Sequence, residues 1–524
     1  MDRKASLRRF QGETFDLCVI GGGASGAGCA LDAALRGLKV ALVEKNDFAA
    51  GTSSKSTKLI HGGVRYLEQA VTKLDWGQLR QVRHGMEERH IVLSNAPHLA
   101  RPLALVTPVF TWWEGLYFLI GLWLYDRFAS GKDALPQSRW LSKAETRRLL
   151  PGLSKRLHSA VLYSDGQLDD ARYCLALVHS AREAGAAVAN YTEVLGFEKD
   201  SDGRLTAVRL RDHQAADAAG EPDRTGFLLH SRTFLNCTGP FSDSVRLLAN
   251  PALTRRIRPS KGVHLSLPGD ILGGAEAALL IPQTRDGRVV FAIPFQGDVI
   301  LGTTDEAYPD PEKEPLAAAS DVDFLLETLQ PYLNRKLDKG LVKAAFGGLR
   351  PLLTPPPEGE KTTGTKALLR DHEVEHDPVS GLFSLLGGKW TTYRLMARDA
   401  VDAVCRHLGN DEPCQTAHHR LAGAEYLNPG IRQLLCHQYG LAPETADHLF
   451  HNYGSRAARV AGLLDEDAGL ARLLVDGFPF IRAEVAYAAR HEMACTLRDV
   501  LARRLRREIL DWQATLAAIP ETAA

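Results

Sequence analysis

Residues 17–20 (Leu-Cys-Val-Ile) and 40–43 (Val-Ala-Leu-Val) are short uninterrupted apolar runs, the pattern of strands buried on both faces. Between them, residues 27–36 are rich in Ala and Leu and predict a helix, which Gly37 stops. Strand, glycine turn, helix, strand is the start of a βαβ unit with a parallel sheet. The rhythm returns as a helix over 171–183 and a strand over 187–191. From 204 to 235 apolar and polar positions alternate between turn signals, which predicts an antiparallel hairpin or meander. Residues 234–239 then return to a buried strand ending in glycine. Short strands at 289–293 and 299–301, around a helix near 320–335, predict a mixed, mostly antiparallel second domain. A helix is expected over 72–95. From about Tyr393 onward the pattern is helical with short breaks, and the prolines at 355–357 argue against regular structure over 351–365.

Two stretches have patterns of their own. Residues 115–125 are apolar and aromatic, flanked by Trp112, Trp113 and Arg127. They are too short to span a bilayer and read as a buried helix, with a segment lying in a membrane interface as the alternative. Residues 497–507 read as a basic amphipathic helix on a solvated surface, the alternative being a membrane or partner site.

Composition narrows the class. A chain of 524 residues exceeds what one core usually carries, so two or three domains are expected. Lys plus Arg and Asp plus Glu balance at 63 each, so no global field favours a nucleic acid, and anion recognition must be local. Eight scattered cysteines without a C-x-x-C argue against an iron–sulfur cluster or a structural zinc, leave no metal to expect, and fit a reducing compartment. The basic N-terminus lacks the apolar core of a secretory signal, and Arg8-Arg9 resembles a twin-arginine signal only superficially.

Gly21-Gly22-Gly23-Ala24-Ser25-Gly26 is a G-x-G-x-x-G between the first strand and the first helix, the context that makes it a dinucleotide fingerprint. Gly21 permits the tight turn, Gly23 lets backbone approach a pyrophosphate, and Gly26 lets helix and strand pack closely. The helix N-terminus offers N–H groups and partial positive charge to the phosphates. Glu44, at the end of the second strand, suits ribose hydroxyls and repels a 2′-phosphate, which favours FAD or NAD over NADP. Downstream, Thr238-Gly239 ends a strand. Gly387-Gly388-Lys389-Trp390-Thr391-Thr392 precedes a helix start whose N-terminus suits the N1–C2=O edge of a reduced flavin.

These residues resemble a known family, the FAD-dependent, respiratory glycerol-3-phosphate dehydrogenases within the D-amino-acid-oxidase-like flavoproteins. The likeness is carried by 19–23, 51–68 (Gly-Thr-Ser-Ser-Lys-Ser-Thr-Lys-Leu-Ile-His-Gly-Gly-Val-Arg-Tyr-Leu-Glu), 165–172, 236–241, 261–264, 301–305, 347–352 and 387–394. It is strong over about 12–400 and weaker beyond. It implies an α/β fold: a Rossmann-like FAD-binding domain, an antiparallel-sheet substrate domain and a helical C-terminal domain. The FAD-binding segments are expected at about 12–75, 160–245 and 345–400. The substrate segments are expected at 76–159 and 246–344, and the C-terminal domain at 401–524.

The resemblance also implies non-covalent FAD and oxidation of glycerol 3-phosphate at C2. Electrons would pass to ubiquinone or menaquinone at a membrane surface. A homodimer is allowed and nucleic acid is not expected. Carried over position by position, Arg65, Tyr66, His264, Arg350, Lys389 and Thr391 line the substrate site. The cofactor set is Gly21, Gly23, Ala24, Ser25, Gly26, Glu44, Lys45, Thr52, Ser53, Ser54, Lys58, His61, Gly62, Gly63, Val194, Thr238, Gly239, Gly388, Lys389 and Thr391.

The chemistry wants such residues. A phosphate dianion needs cationic donors, and Arg65 and Arg350, each after a glycine pair, are the expected clamp. A hydride leaving C2 for flavin N5 needs a base for the hydroxyl proton. His264 is the candidate, His61 its rival, and Lys389 polarises the alcohol, balances charge near the flavin or binds phosphate. His264, Arg350 and Lys389 are thus the expected catalytic residues. With no internal cluster the electron acceptor comes from outside: quinone, or oxygen in an oxidase of the same substrate. An amine or amino-acid oxidase of the same fold group is the different-substrate alternative. A peripheral place on the cytoplasmic face of a bacterial inner membrane follows as the expected location.

Overall fold

The strand Thr14–Ile20 lies at the centre of the first sheet, buried along most of its length. This computed structural model describes residues 1–62, 76–128, 135–215, 225–282, 284, 287–354 and 372–523. The sheet runs His372–His376, Phe383–Gly387, Phe227–Asn236, Thr14–Ile20, Val40–Val43, Ala187–Ala189. Its central pairs are parallel, in register such as Val19 with Leu235 and with Leu42. The expected meander is present: Thr192–Lys199 pairs antiparallel with Leu205–Asp212, which pairs with Phe227–Asn236. Helices Ala24–Leu35, Asp170–Glu183 and Tyr393–Leu408 cover one face through Ala27, Leu31, Tyr173, Leu177, Tyr393 and Ala397.

The second sheet has ten strands, and the path through eight of them is Glu306–Ala307, Ile257–Pro268, Asp298–Gly302, Val290–Phe295, Ala278–Ile281, Ala100–Val109, Ser159–Leu168, Leu59–Ile60. Ala344–Leu353 pairs along the far side of Ile257–Pro268 over ten residues. The pleat of Ile257–Pro268 sorts its side chains. Val263, Leu265 and Leu267 join the core with Leu325, Leu326 and Leu329 of helix Ala319–Leu329, and alternation sends Gly262 and His264 to the opposite face. That opposite face looks toward the 52–58 loop.

Residues 59–60, 160–168 and 345–353, which lie in the expected FAD-binding segments, hydrogen-bond into the second sheet. These pairings are non-local, so strand pattern alone does not reveal which sheet each strand joins. Helix Tyr393–Leu408, which spans the expected domain boundary at 401, packs in the first core. The C-terminal unit contains helices Gly430–Tyr439, Pro443–Tyr453, Arg482–His491 and Trp512–Ala523.

Two helix expectations are corrected. Helix Trp112–Phe128 is not wholly buried: Leu122 packs inward, while Trp113 is 63% and Trp123 53% exposed. Among the described residues no helix is long and apolar enough to cross a membrane. The 497–507 stretch is no surface helix, because Arg503, Arg504, Arg506 and Arg507 are all buried. Each finds carboxylates contributed by other parts of the chain, which sequence periodicity does not register.

Candidate active site

The glycine loop is shaped by contacts that forbid side chains. Gly21 has φ +109°, its N–H donates to Val43 O at 2.8 Å, and a Cβ there would lie 2.8 Å from Cys237 O. A Cβ on Gly26 would collide with the Gly21 carbonyl. At Gly23, the N-cap of helix Ala24–Leu35, a Cβ would meet only Ser53 among the described residues, with Oγ at 2.9 Å. The Ser53 hydroxyl is thus the near neighbour of this helix N-terminus. Ser53 Oγ accepts the Ala24 N–H at 2.9 Å.

The Glu44 carboxylate accepts the Gly22 N–H at 2.6 Å and the Asn46 N–H at 2.8 Å, which sets it beside this loop. Burial pushes its pKa up, against those two backbone donors. A glycine-lined helix N-terminus with a carboxylate at the next strand end fits the pyrophosphate and ribose of FAD. Val194 is two residues beyond Thr192, whose N–H donates to Glu44 O at 2.7 Å. Thr238 is turned onto Asn236 Oδ1 at 2.7 Å, and Gly239 has φ +57°. Lys45 departs from expectation: it is exposed and paired with Glu193 and Glu312 at 3.3 and 3.5 Å, because its side chain leaves the strand end toward solvent.

The 52–58 loop joins the two sheets. Thr52 Oγ1 donates to Leu349 O at 2.7 Å, and Trp390 Nε1 donates to Ser53 O at 3.0 Å. Gly348 admits the loop, since a Cβ there would lie 2.6 Å from Lys55 O. Ser54 ends this short turn and its carbonyl accepts the Lys58 ammonium at 2.6 Å. Lys58, expected at the cofactor, is fully buried and ion-paired with Asp170, so its charge is committed to holding the loop. Ser56 donates to the same carboxylate from N at 3.0 Å and from Oγ at 2.7 Å. The His61 N–H reaches Thr391 Oγ1 at 3.4 Å, and Gly62 lies close enough to Gly85 that a Cβ on Gly85 would be 3.1 Å from its Cα. Gly63, Arg65 and Tyr66 lie outside the described residues.

His264 sits at the heart of the second sheet's site face. Its Nε2 is 2.9 Å from Thr57 Oγ1, its ring stacks on Phe346 at 4.9 Å, and Nδ1 has no hydrogen-bond partner among the described residues. Burial, with Arg350 and Lys58 adding, pulls its pKa to about 3, so the ring is neutral at pH 7. Arg350 lies across Gly262: a Cβ on that glycine would be 2.5 Å from its NH2. The guanidinium is oriented by Asp305 Oδ1 at 3.2 Å, Thr303 Oγ1 at 3.2 Å and Thr304 O at 3.1 Å. Gly387 and Gly388, at φ +74° and +95°, turn the chain from strand Phe383–Gly387 through Lys389 and the buried Thr391 into helix Tyr393–Leu408.

The structure thus gathers Ser53, His61 and Thr391 around the loop, and His264 and Arg350 beside it. Sequence reasoning did not single out Thr57, Trp390, Asp170 or the Thr303–Asp305 cradle of Arg350. All are hydrogen-bonding or charged residues within the quoted motifs, and their pairings are made across the fold. Among the described residues no group of three or more His, Cys, Asp or Glu is arranged to hold a metal.

The model of the family described as FAD dependent oxidoreductase matches residues 16–394, and that of the C-terminal domain of alpha-glycerophosphate oxidase matches 414–524. The probable mitochondrial glycerol-3-phosphate dehydrogenase of Dictyostelium discoideum is 40% identical over 97% of this chain and 79% of its own length. The mitochondrial glycerol-3-phosphate dehydrogenase of Homo sapiens is 41% identical over 99% and 71%. The crystal structure of the Bacillus halodurans glycerol-3-phosphate dehydrogenase complexed with FAD superposes with a TM-score of 0.77 at 28% identity, covering 99% of this chain and 92% of that one. With the glycine loop, Glu44 and the two-sheet architecture in place, this chain belongs to the FAD-dependent glycerol-3-phosphate dehydrogenase family.

Proposed function

We propose that the chain oxidises sn-glycerol 3-phosphate to dihydroxyacetone phosphate and passes the electrons to a membrane quinone, ubiquinone or menaquinone. The observation that carries this reading is Arg350 laid over Gly262 with His264 two residues along the same strand face. Bound FAD supplies the two-electron acceptor for the C2 hydride. Arg350, held in orientation by Thr303, Thr304 and Asp305, presents a guanidinium fork to the phosphate dianion. Arg65 and Tyr66 complete that end in this reading. His264 accepts the hydroxyl proton. Its low pKa keeps it deprotonated, and a dianion bound beside it offsets Arg350 and raises its proton affinity when substrate is present. Lys389 and Thr391 contribute a charge and a hydroxyl beside the 52–58 loop.

Anaerobic mixing with glycerol 3-phosphate tests this directly. Rapid bleaching of the flavin absorbance is expected with this compound and not with glycerol or amino acids. Bleaching by an amino acid instead would return the chain to the amino-acid oxidases. The C-terminal match to an oxidase domain supports a second reading, in which oxygen takes the electrons. Peroxide yield against reduction of a soluble quinone analogue separates the two.

Quinone is lipid-soluble, so its reduction calls for membrane contact without spanning. Trp112, Trp113, Tyr117, Ile120 and Trp123 form an exposed face on helix Trp112–Phe128 suited to the bilayer interface. The reading places the chain peripherally, on the cytoplasmic face of a bacterial inner membrane. Replacing Trp113 and Trp123 by Ser is expected to release it from anionic liposomes in flotation, and undiminished flotation would discard this face as the contact.

A further inference from the structure

We infer that the C-terminal unit is part of the cofactor site: Arg503 and Arg504 clamp Asp47 and thereby hold the 44–50 segment against the glycine loop, so that FAD affinity depends on them. The pairing spans 456 and 457 residues of sequence. Asp47 and Arg504 are fully buried and Arg503 is 7% exposed. Arg504 makes a two-pronged contact, with NH1 on Asp47 Oδ2 and NH2 on Oδ1 at 3.0 Å. Arg503 Nε donates to the same Oδ2, and Asn190 Nδ2 donates to Oδ1 at 3.1 Å.

What Asp47 does is transmitted along the chain in both directions. On one side Glu44 grips the Gly22 N–H, and Asn46 O accepts the Tyr191 N–H at 2.8 Å. On the other, Phe48 is buried so tightly against Gly22 that a Cβ there would be 2.7 Å from its ring, and the Ala49 N–H donates to Gly22 O at 3.1 Å. The ribose carboxylate and the glycine loop are therefore bound to the segment that carries Asp47.

The clamp itself is braced. Asp499 opens the wide helical turn Asp499–Arg504, in which the Leu505 N–H reaches back to Val500 O at 2.9 Å. Its carboxylate accepts the Tyr191 hydroxyl at 2.6 Å and the Cys495 N–H at 2.7 Å, and it pairs with Arg503. Two consecutive arginines are thus turned inward onto one carboxylate, and Tyr191 ties the turn to the strand end next to Glu44. Removing the arginines leaves Asp47 as an uncompensated buried charge, which favours a shift of the 44–50 segment away from the glycine loop. Arg503 and Arg504 are positioning residues: they act on the glycine loop through Asp47.

The test dilutes the full-length holoenzyme and follows released FAD by its fluorescence, giving a dissociation constant independent of turnover. Arg504→Met is expected to raise that constant about tenfold or more, since a buried pair is broken at the cofactor loop. Adding Asp47→Asn to it removes the stranded charge and is expected to bring the constant back to within about threefold of the parent. Arg504→Lys, which lacks the fork, is expected to fall between. At saturating FAD the KM for glycerol 3-phosphate should not move, because the clamp acts at the adenosine end.

Arg507→Met is the control. Arg507 is equally buried but faces Asp298 of the second sheet and stacks on Phe478 and Phe480, away from the 44–50 segment. It should lower the melting temperature without changing FAD release. The proposal is overturned if Arg504→Met leaves the constant unchanged, if Asp47→Asn fails to restore it, or if Arg507→Met raises it as much. Should Arg504→Met not fold, Arg503→Met keeps the fork and removes one donor. A rise of about threefold supports the clamp and an unchanged constant overturns it.

Discussion

At the scale of single residues, the site is defined as much by missing side chains as by present ones. A methyl on Gly26 would sit in the Gly21 carbonyl, and one on Gly262 or Gly302 would strike Arg350 or His264. Gly26→Ala is therefore expected to weaken FAD by at least about tenfold, read as protein purified with little or no flavin absorbance. Full flavin occupancy in that variant would show that the loop tolerates the methyl. Thr57 is the residue in contact with the His264 ring nitrogen. With His264 as the base, Thr57→Val is expected to lower kcat roughly ten- to a hundredfold with KM little changed, and Thr57→Ser to restore it. An unaltered kcat would remove Thr57 from the machinery.

At the scale of elements, the 165–172 motif is a hub. Asp165 pairs with Arg89 of helix Trp76–Asn95, Asp169 with Arg506 of the C-terminal unit, Asp170 with Lys58 of the site loop, and Arg172 with Glu492. One short stretch therefore ties together the site loop, helix Trp76–Asn95 and the C-terminal unit. The Lys58–Asp170 pair is completely buried, so Asp170→Asn strands an ammonium in the core. That change is expected to cost about 3–5 kcal/mol, seen as a lower denaturation midpoint in urea. A shift below about 1 kcal/mol would mean that Lys58 finds water or another partner.

At the scale of the whole molecule, burial makes stability depend on pH in a definite sense. His264 and His98 are nearly inaccessible, and burial pulls each pKa from 6.5 to about 3. Folded protein keeps both neutral below pH 6.5, whereas unfolded chain protonates them, so the unfolded state binds more protons between about pH 6.5 and 3. Stability is therefore lost as pH falls through that window, by up to about 1.4 kcal/mol per pH unit for each histidine. Melting temperatures recorded from pH 7 to 5 should decline, and a flat profile would show that one or both rings find water when protonated. Neither residue contributes pH dependence above about pH 7.

The βαβ opening, the glycine fingerprint, Glu44 at the second strand's end, the mixed, mostly antiparallel second sheet and the helical C-terminus were all legible from the sequence. Each rests on local periodicity or on motifs a few residues long, where neighbours in sequence are neighbours in space. Tertiary structure alone decided which sheet takes the strands at 59–60, 159–168 and 344–353, because ladder partners lie far along the chain. It decided the partners of charged residues as well: buried carboxylates take the Lys58 ammonium and the buried guanidinium groups of 497–507, a stretch that resembled a solvated helix. A charge in a sequence records only that a counter-charge or water must be found. Which one it finds is set by long-range packing.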